Sequence, residues 1–333
     1  MEGKRVRIKA PGGLEVLDFE PFNIDKPPPG NLLVEMEITG LNHLDIWVRK
    51  GIPGVSYPIV PGADGVGVVL DIGTGVEDFK VGDRVFLSPG IGDHIAPDYG
   101  IHGERVDGSH ASHVVRPANL WIRLPSEVDN QTAAAFPLAT LTAWTMLVRR
   151  AKLHQGETVF VWGASSGVGD AAGSIARLLG AKTVGTARGP KLEQLERRNR
   201  GWDLLVDPDK EDVVAATRAV SPSGADVVIE HTGAKTWNRS MKVLARNGRL
   251  VTCGATTGPK GEINLPHLFI KNQTVMGSTM GCGRDLEDEI LPLVAKGAIK
   301  PMIDMLFPAE EISLAHERLE TGSAMGKVLL QWV

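Results

Sequence analysis

The sequence predicts an α/β protein in which a doubly wound parallel sheet is inserted into a β-rich domain. Three observations predict it. Residues 5–39 alternate short strand-like runs with Pro/Gly turns and show no helical periodicity. A repeating strand–helix pattern begins only after Pro125. After Leu286 the order changes to helix, strand, helix, strand, enough to complete the first domain. The expected division is therefore residues 1–128 with 278–333 as the β-rich domain, and 129–277 as the inserted one. With 333 residues the chain has room for both.

Taken in order, Val6–Ile8, Leu14–Phe19 and Leu32–Ile38 read as strands, separated by turns at Pro11-Gly12-Gly13 and Pro27-Pro28-Pro29-Gly30. Leu41–Lys50 supplies the first helical turns and carries Asn42, His43 and Asp45. A glycine-dense segment follows at Pro61–Val69, and Val81–Val85 reads as a turn entering a strand. Residues 88–113 form a polar, irregular lobe containing His94, His102, His110 and His113. The uncharged run Gln131–Val148 contains Pro137 and is short for a membrane span, so it reads as a buried helix pair or connector. Further strands are expected at Val159–Trp162, Thr183–Ala187, Asp203–Val206, Asp226–Glu230, Arg249–Cys253 and Thr274–Met280.

The most informative stretch is Glu157–Leu179. Val159–Trp162 is an apolar run of strand length, suited to burial on both faces. Small residues follow, and then helical apolar spacing at Ala171, Ile175, Leu178 and Leu179. Strand, small-residue turn and helix in that order make the first half of a dinucleotide-binding unit, where a pyrophosphate approaches the unpaired N–H groups of a helix N-terminus. The loop is Ala164-Ser165-Ser166-Gly167-Val168-Gly169, with Ala164 and Ser166 where a strict fingerprint has glycine. Gly180 stands where a helix C-cap is expected.

The end of the second strand selects the dinucleotide. A carboxylate there would hold the ribose 2′-hydroxyl of NAD. This chain reads Thr186-Ala187-Arg188-Gly189-Pro190-Lys191, with no carboxylate until Glu193. Ala187 leaves space, and Arg188 and Lys191 offer cations for a 2′-phosphate. NADP(H) is the expected cofactor.

A formal charge of −4 gives no reason to expect nucleic acid or an anionic membrane as partner. The N-terminal residues lack the apolar core of a secretory signal. Two cysteines, Cys253 and Cys282, suggest no disulfide framework. A soluble cytoplasmic protein is the expectation.

With these pieces placed, the chain resembles the medium-chain dehydrogenase/reductase superfamily over nearly its full length. The resembling blocks are Gly40–Asp45, Pro61–Val69, Val81–Val85, Leu141–Trp144, Val159–Gly169, Gly248–Val251 and Gly326–Val328. The resemblance implies a Rossmann domain inserted into a GroES-like catalytic domain, with the site in the cleft between them. It is greatest for the zinc-free quinone oxidoreductase and enoyl reductase branch, with zinc alcohol dehydrogenases close behind. In the zinc-dependent relatives a Cys, a His and a Cys or Asp ligate the metal where this chain has Asn42, Ala63 and Leu138. The four cysteines of their structural zinc lobe have no counterpart in residues 88–110. No metal is therefore expected, although the four histidines of that lobe leave a different metal site open.

The resemblance further implies that Asn42 and Asp45 lie beside the nicotinamide ribose, with Asn42 able to donate to a substrate oxygen. Thr142 would pack on the nicotinamide. Gly233 and Gly254 would let backbone pass the cofactor, Ser278, Thr279 and Met280 would form a later loop near the nicotinamide, and Lys327 would approach a phosphate. Without a Lewis acid, reduction of a quinone or an α,β-unsaturated carbonyl compound is easier than oxidation of an alcohol. A proton donor is not evident: Tyr57 is displaced from the position the enoyl reductases use, and His43 is a candidate. Segments Ile263–Phe269 and Thr274–Gly281 resemble the dimer edge of the superfamily, implying a homodimer or homotetramer. An alcohol dehydrogenase without the usual zinc site, and a non-catalytic NADPH-binding protein, stay open as alternatives.

Overall fold

The computed structural model describes residues 2–333. The chain forms two compact units, one comprising the residues up to Leu138 together with Cys282–Val333, the other Ala139–Gly281. The insertion architecture is present, with its seams later in the chain than residues 128 and 277. Two local causes account for this. The helix Asn130–Ala135 packs on strands Asn31–Leu41 and Asp64–Ile72 of the first unit. At the other seam, the Thr145 hydroxyl donates to the Met280 carbonyl at 2.9 Å and holds that loop in the second unit.

The second unit is built on a six-stranded sheet in the order Leu204–Val206, Lys182–Thr186, Thr158–Val161, Ala225–Glu230, Leu244–Thr252, Thr274–Gly277. Every neighbouring pair is parallel. The chain starts at Thr158–Val161, winds outward on one side, and then restarts on the other at Ala225–Glu230. The order therefore reverses between these two strands, which opens a crevice at their C-terminal ends. Val159, Phe160 and Val161 have no exposed surface, so both faces of this strand are core and its sequence is an unbroken apolar run. Phe160 and Trp162, two residues apart on one face, meet edge to face at 5.1 Å. The helix Gly167–Leu178 buries Ala171, Ala172, Ile175 and Ala176, and small residues let it lie close to the sheet. Full burial of a side chain such as Ile175 contributes roughly 1.5–3 kcal/mol.

In the first unit, the sheet runs Ile303–Pro308, Lys327–Gln331, Asn31–Leu41, Asp64–Ile72, Arg84–Leu87, Trp121–Arg123, with His113–Pro117 also pairing onto Asn31–Leu41. All pairs but the first are antiparallel. Helices His43–Lys50 and Ile312–Glu320 pack on each other and share a core with Leu41, Ile59, Val328 and Leu330. The run Leu14–Phe19 is not one strand. Its first half is the 3₁₀ turn Leu14–Val16, where the Glu15 carboxylate accepts the Gly13 N–H at 2.8 Å, and strand starts at Asp18. Gln131–Val148 is the expected helix pair, Asn130–Ala135 and Pro137–Trp144, the latter running on through Thr145–Arg150. Asp129 caps the first of these by accepting the Thr132 N–H at 2.8 Å. No helix among the described residues is long and apolar enough to cross a membrane.

The histidine lobe holds the short pair Gly90–Ile91 and Gly100–Ile101, with a single bridge between His102 and Val106. His102 and His110 are fully buried, and His316 on the helix Ile312–Glu320 is a third buried imidazole. Among the described residues, no three His, Cys, Asp or Glu side chains come together as a metal ion would need.

Candidate functional site

The second unit carries its predicted residues along one edge. Ala164, Arg188, Gly233, Gly254 and Ser278 each follow the C-terminal end of a different strand, and those five strands are contiguous in the sheet. Ser166 caps the helix Gly167–Leu178, its hydroxyl accepting the Gly169 N–H at 3.0 Å. Helix geometry leaves the Gly167 and Val168 N–H groups without an intrahelical carbonyl, so they and the positive end of the dipole face an incoming anion. Ala164 and Ser165 are buried, and Ala164 N–H bonds the Thr186 carbonyl at 2.8 Å, tying the loop to the neighbouring strand. Only glycine fits at position 169. A Cβ there would lie 2.1 Å from the Gly163 carbonyl oxygen.

Past Thr186, Ala187 is buried and Arg188 is exposed, its guanidinium paired with Asp209 at 3.0 Å. Lys191 lies in the first turn of the next helix, Pro190–Arg198. The carboxylate nearest this turn is Asp207. Its two oxygens accept the Gly189 and Asp209 N–H groups at 3.1 Å each, and those bonds hold its carboxyl below the usual range. On the other side of the crevice, Met280 and Thr142 are buried, whereas Thr279 is exposed.

A residue missed in the sequence organises the crevice floor. Glu230 is fully buried at the end of its strand. Its carboxylate accepts the Thr232 N–H at 2.7 Å, the Gly233 N–H at 3.0 Å, the Thr236 hydroxyl at 2.9 Å and the Ser240 hydroxyl at 2.5 Å. Ser240 in turn accepts the Trp162 indole N–H at 2.6 Å. Beside it, the His231 Nε2 donates to the Trp162 carbonyl at 2.8 Å, so the two strands that flank the reversal are bolted together.

In the first unit, strand register gathers the rest. Gly40 pairs with Asp64, and Leu41 with Val328, so Asn42, Asp64 and Lys327 meet at one end of three adjacent strands. The Lys327 side chain is 4% exposed and donates to Asn42 Oδ1 at 2.5 Å and to Asp64 Oδ2 at 2.7 Å. Asn42 Nδ2 donates to the same Asp64 oxygen at 2.9 Å. The other Asp64 oxygen accepts the Leu138 N–H at 2.8 Å. Asp45 closes the start of the helix His43–Lys50, accepting the Asn42 N–H at 2.7 Å, and it also accepts the Gly62 N–H at 2.8 Å. Burial raises its carboxyl above the ordinary range against the pull of neighbouring His110. His110 packs flat against Gly62, where a Cβ would stand 2.4 Å from the ring and the φ is +99°. The Tyr57 hydroxyl is committed to the Val48 carbonyl at 2.5 Å, and the His43 ring leans on Trp47.

These residues do not make a zinc site. The positions that correspond to ligands are an amide, a methyl and an isobutyl group, and the one carboxylate between them already holds an ammonium. A divalent cation there would meet a fixed positive charge.

Residues 28–126 match the alcohol dehydrogenase GroES-like domain, and residues 167–296 the zinc-binding dehydrogenase family. The quinone oxidoreductase of Pseudomonas aeruginosa is 31% identical over 98% of this chain and 99% of that protein. The acryloyl-coenzyme A reductase of Metallosphaera sedula is 29% identical over 92% and 93%. Among solved structures, an NAD-dependent alcohol dehydrogenase superposes with a TM-score of 0.93 at 36% identity, covering 98% of this chain and 99% of its own.

Proposed function

Because the chain belongs to the medium-chain dehydrogenase/reductase superfamily, in its quinone oxidoreductase branch, we propose that it is an NADPH-dependent reductase of quinones or α,β-unsaturated carbonyl compounds that works without a metal. The observation that carries this reading is the Asn42–Asp64–Lys327 cluster, which puts a hydrogen-bonded amide where the zinc enzymes of the superfamily place a Lewis acid. When bound, the dinucleotide would supply a hydride from its dihydronicotinamide to the electron-poor carbon of the acceptor. The acceptor's π pair would move onto its own oxygen, and the resulting enolate would take a proton from solvent, a quinone adduct then tautomerising to the hydroquinone. A hydrogen-bond donor at that oxygen is sufficient help for an acceptor already activated; Asn42 supplies it, and Thr142 packs on the nicotinamide. The acryloyl-coenzyme A reductase relative is named for a substrate of this activated kind.

The pyrophosphate is held by Ala164–Gly169, with Gly233, Gly254 and the loop Ser278–Met280 lining the remaining strand ends. Arg188 and Lys191 receive the 2′-phosphate. The pair Arg188–Asp209 is more than half exposed on both sides, so a phosphate displaces it at little cost. The expected result is a kcat/KM at least tenfold higher with NADPH than with NADH, narrowing in Arg188→Ala; parity or a preference for NADH removes this half of the reading, and would align the chain with its NAD-dependent structural neighbour. A panel of quinones, enones, aldehydes and alcohols, with and without a chelator, tests the other half. Chelator-insensitive reduction of quinones or enones is expected. Chelator-sensitive alcohol oxidation would favour an alcohol dehydrogenase, and tight NADPH binding without turnover a non-catalytic binder.

The enzyme acts in the reducing cytoplasm, which its two unpaired cysteines suit, and as a homodimer. Leu265, Phe269 and Ile270 expose 59–65% of their surface beside the open edge of strand Thr274–Gly277. The double variant Leu265→Glu with Phe269→Glu is expected to elute as a monomer in light scattering, and an unchanged dimer would locate the interface elsewhere.

A further inference from the structure

Lys327 is the buried charge that the reaction above leaves unassigned. An ammonium only donates, so the atom of Asn42 that faces it must be the amide oxygen. This fixes which way round the amide stands. Its neighbouring N–H then points at Asp64 Oδ2, which the same ammonium also contacts. The oxygen and one N–H of the amide are thus both taken by a single ion pair, in a closed ring of three hydrogen bonds. The second Nδ2–H is turned away from that ring, and among the described residues it has no acceptor. Donation into Oδ1 draws electron density from the amide nitrogen and strengthens this remaining N–H as a donor.

We propose that Lys327 is a positioning residue: working through Asn42, it holds and polarises the one N–H that meets the negative charge developing on the substrate oxygen. The inference rests on Asn42 acting as that donor. A fixed cation backed by Asp64 does by orientation what a bound metal does by coordination, and it requires no ligand set. The assignment differs from a phosphate contact. An ammonium with 4% exposure and two short partners has its charge committed within its own unit.

The experiment compares Lys327→Met, Lys327→Arg, Asn42→Leu and the double variant Lys327→Met/Asn42→Leu, with NADPH against 1,4-naphthoquinone and 2-cyclohexenone. Expected for Lys327→Met is a kcat loss of about a hundredfold with the NADPH KM changed less than threefold. Lys327→Arg recovers most of kcat, and the double variant loses no more than Asn42→Leu alone, because both act on one N–H. Lys327→Met leaves Asp64 buried without its cation, so Lys327→Met/Asp64→Asn is the neutral control for folding. It too is expected to stay slow; full activity in it would show that Lys327 only neutralises Asp64 and would overturn the proposal. So would a raised NADPH KM at unchanged kcat, or multiplicative losses in Lys327→Met/Asn42→Leu.

A second readout needs no turnover. In protein labelled with ¹⁵N-asparagine, the Asn42 side-chain pair, assigned by its loss in Asn42→Leu, is expected to give two well-separated, slowly exchanging protons that shift and exchange fast in Lys327→Met/Asp64→Asn. Unaltered protons in that variant overturn the positioning role. An inactive wild type that keeps this signature would instead refute the reaction and leave the positioning of Asn42 standing.

Discussion

The urea midpoint of this protein is expected to fall steadily as the pH drops below about 6.5, well before ordinary carboxylates titrate. His102, His110 and His316 are each fully buried. Burial pushes His102 down to about 3, His110 below its ordinary value and His316 well below it. The sign follows from proton counting. Above pH 6.5 these imidazoles are neutral in both states and contribute no pH dependence. Below it the unfolded chain takes up protons that the folded chain refuses, so stability drops until the folded value is reached. For His102 alone the loss is about 2 kcal/mol by pH 5 and on the order of 5 kcal/mol by pH 3. Asp45 acts the other way, because its raised carboxyl protonates in the folded state first and returns some stability in the same range. Against a typical stability of roughly 5–15 kcal/mol, unfolding near pH 4–5 is expected. His316→Leu isolates the effect: among the described residues neither ring nitrogen of His316 has a hydrogen-bond partner, so an apolar replacement removes both a desolvation cost and part of the slope. Urea titrations at pH 7.5, 6, 5 and 4.5 check this, and a flat midpoint across that range would refute it.

The nucleotide half of the molecule was legible because its signals are local. Val159–Gly169 places strand, turn and helix cap within a dozen positions, and the spacing of the later strands follows from the same repeat. What escaped the sequence was every bond that spans the chain. Lys327 opens a short strand after Gly326 and looks like any surface lysine, while its partner Asp64 lies 263 residues earlier and is reached only through strand register. Leu14–Phe19 has strand composition, and only the Glu15 carboxylate folding back on Gly13 turns its first half into a 3₁₀ turn. Glu230 ends an apolar run, where a polar residue ordinarily marks the return to solvent. Nothing nearby in sequence shows that Ser240 and Trp162 will enclose it.

That enclosure makes truncation of Glu230 costly for the second unit. Glu230→Ala removes the acceptor shared by two backbone N–H groups and two hydroxyls, and the carboxylate and both hydroxyl-bearing side chains are buried. The hydroxyls have alternatives: Thr236 reaches the Gly233 carbonyl at 3.1 Å and Ser240 the Thr236 carbonyl at 3.2 Å. The Thr232 and Gly233 N–H groups have none among the described residues, and the vacated space adds a cavity, so a loss of about 3–5 kcal/mol is expected. Glu230→Gln separates the causes. Its amide oxygen still receives both N–H groups, its NH2 donates to Ser240, and Ser240 turns its proton to Thr236, so the loss is held to roughly 1–1.5 kcal/mol. The consequence for function follows the geometry. Gly233 has a φ of +92° and is fastened by this carboxylate, and Trp162 stands two residues before the loop proposed to hold the pyrophosphate. When the fastening goes, both strand ends at the crevice are expected to loosen together, and binding of NADPH, the proposed cofactor, is expected to weaken at least tenfold in Glu230→Ala while Glu230→Gln stays within threefold. Denaturation paired with NADPH fluorescence titration measures the two effects on one sample. Equal stability in the two variants would show that the carboxylate fills space and organises nothing.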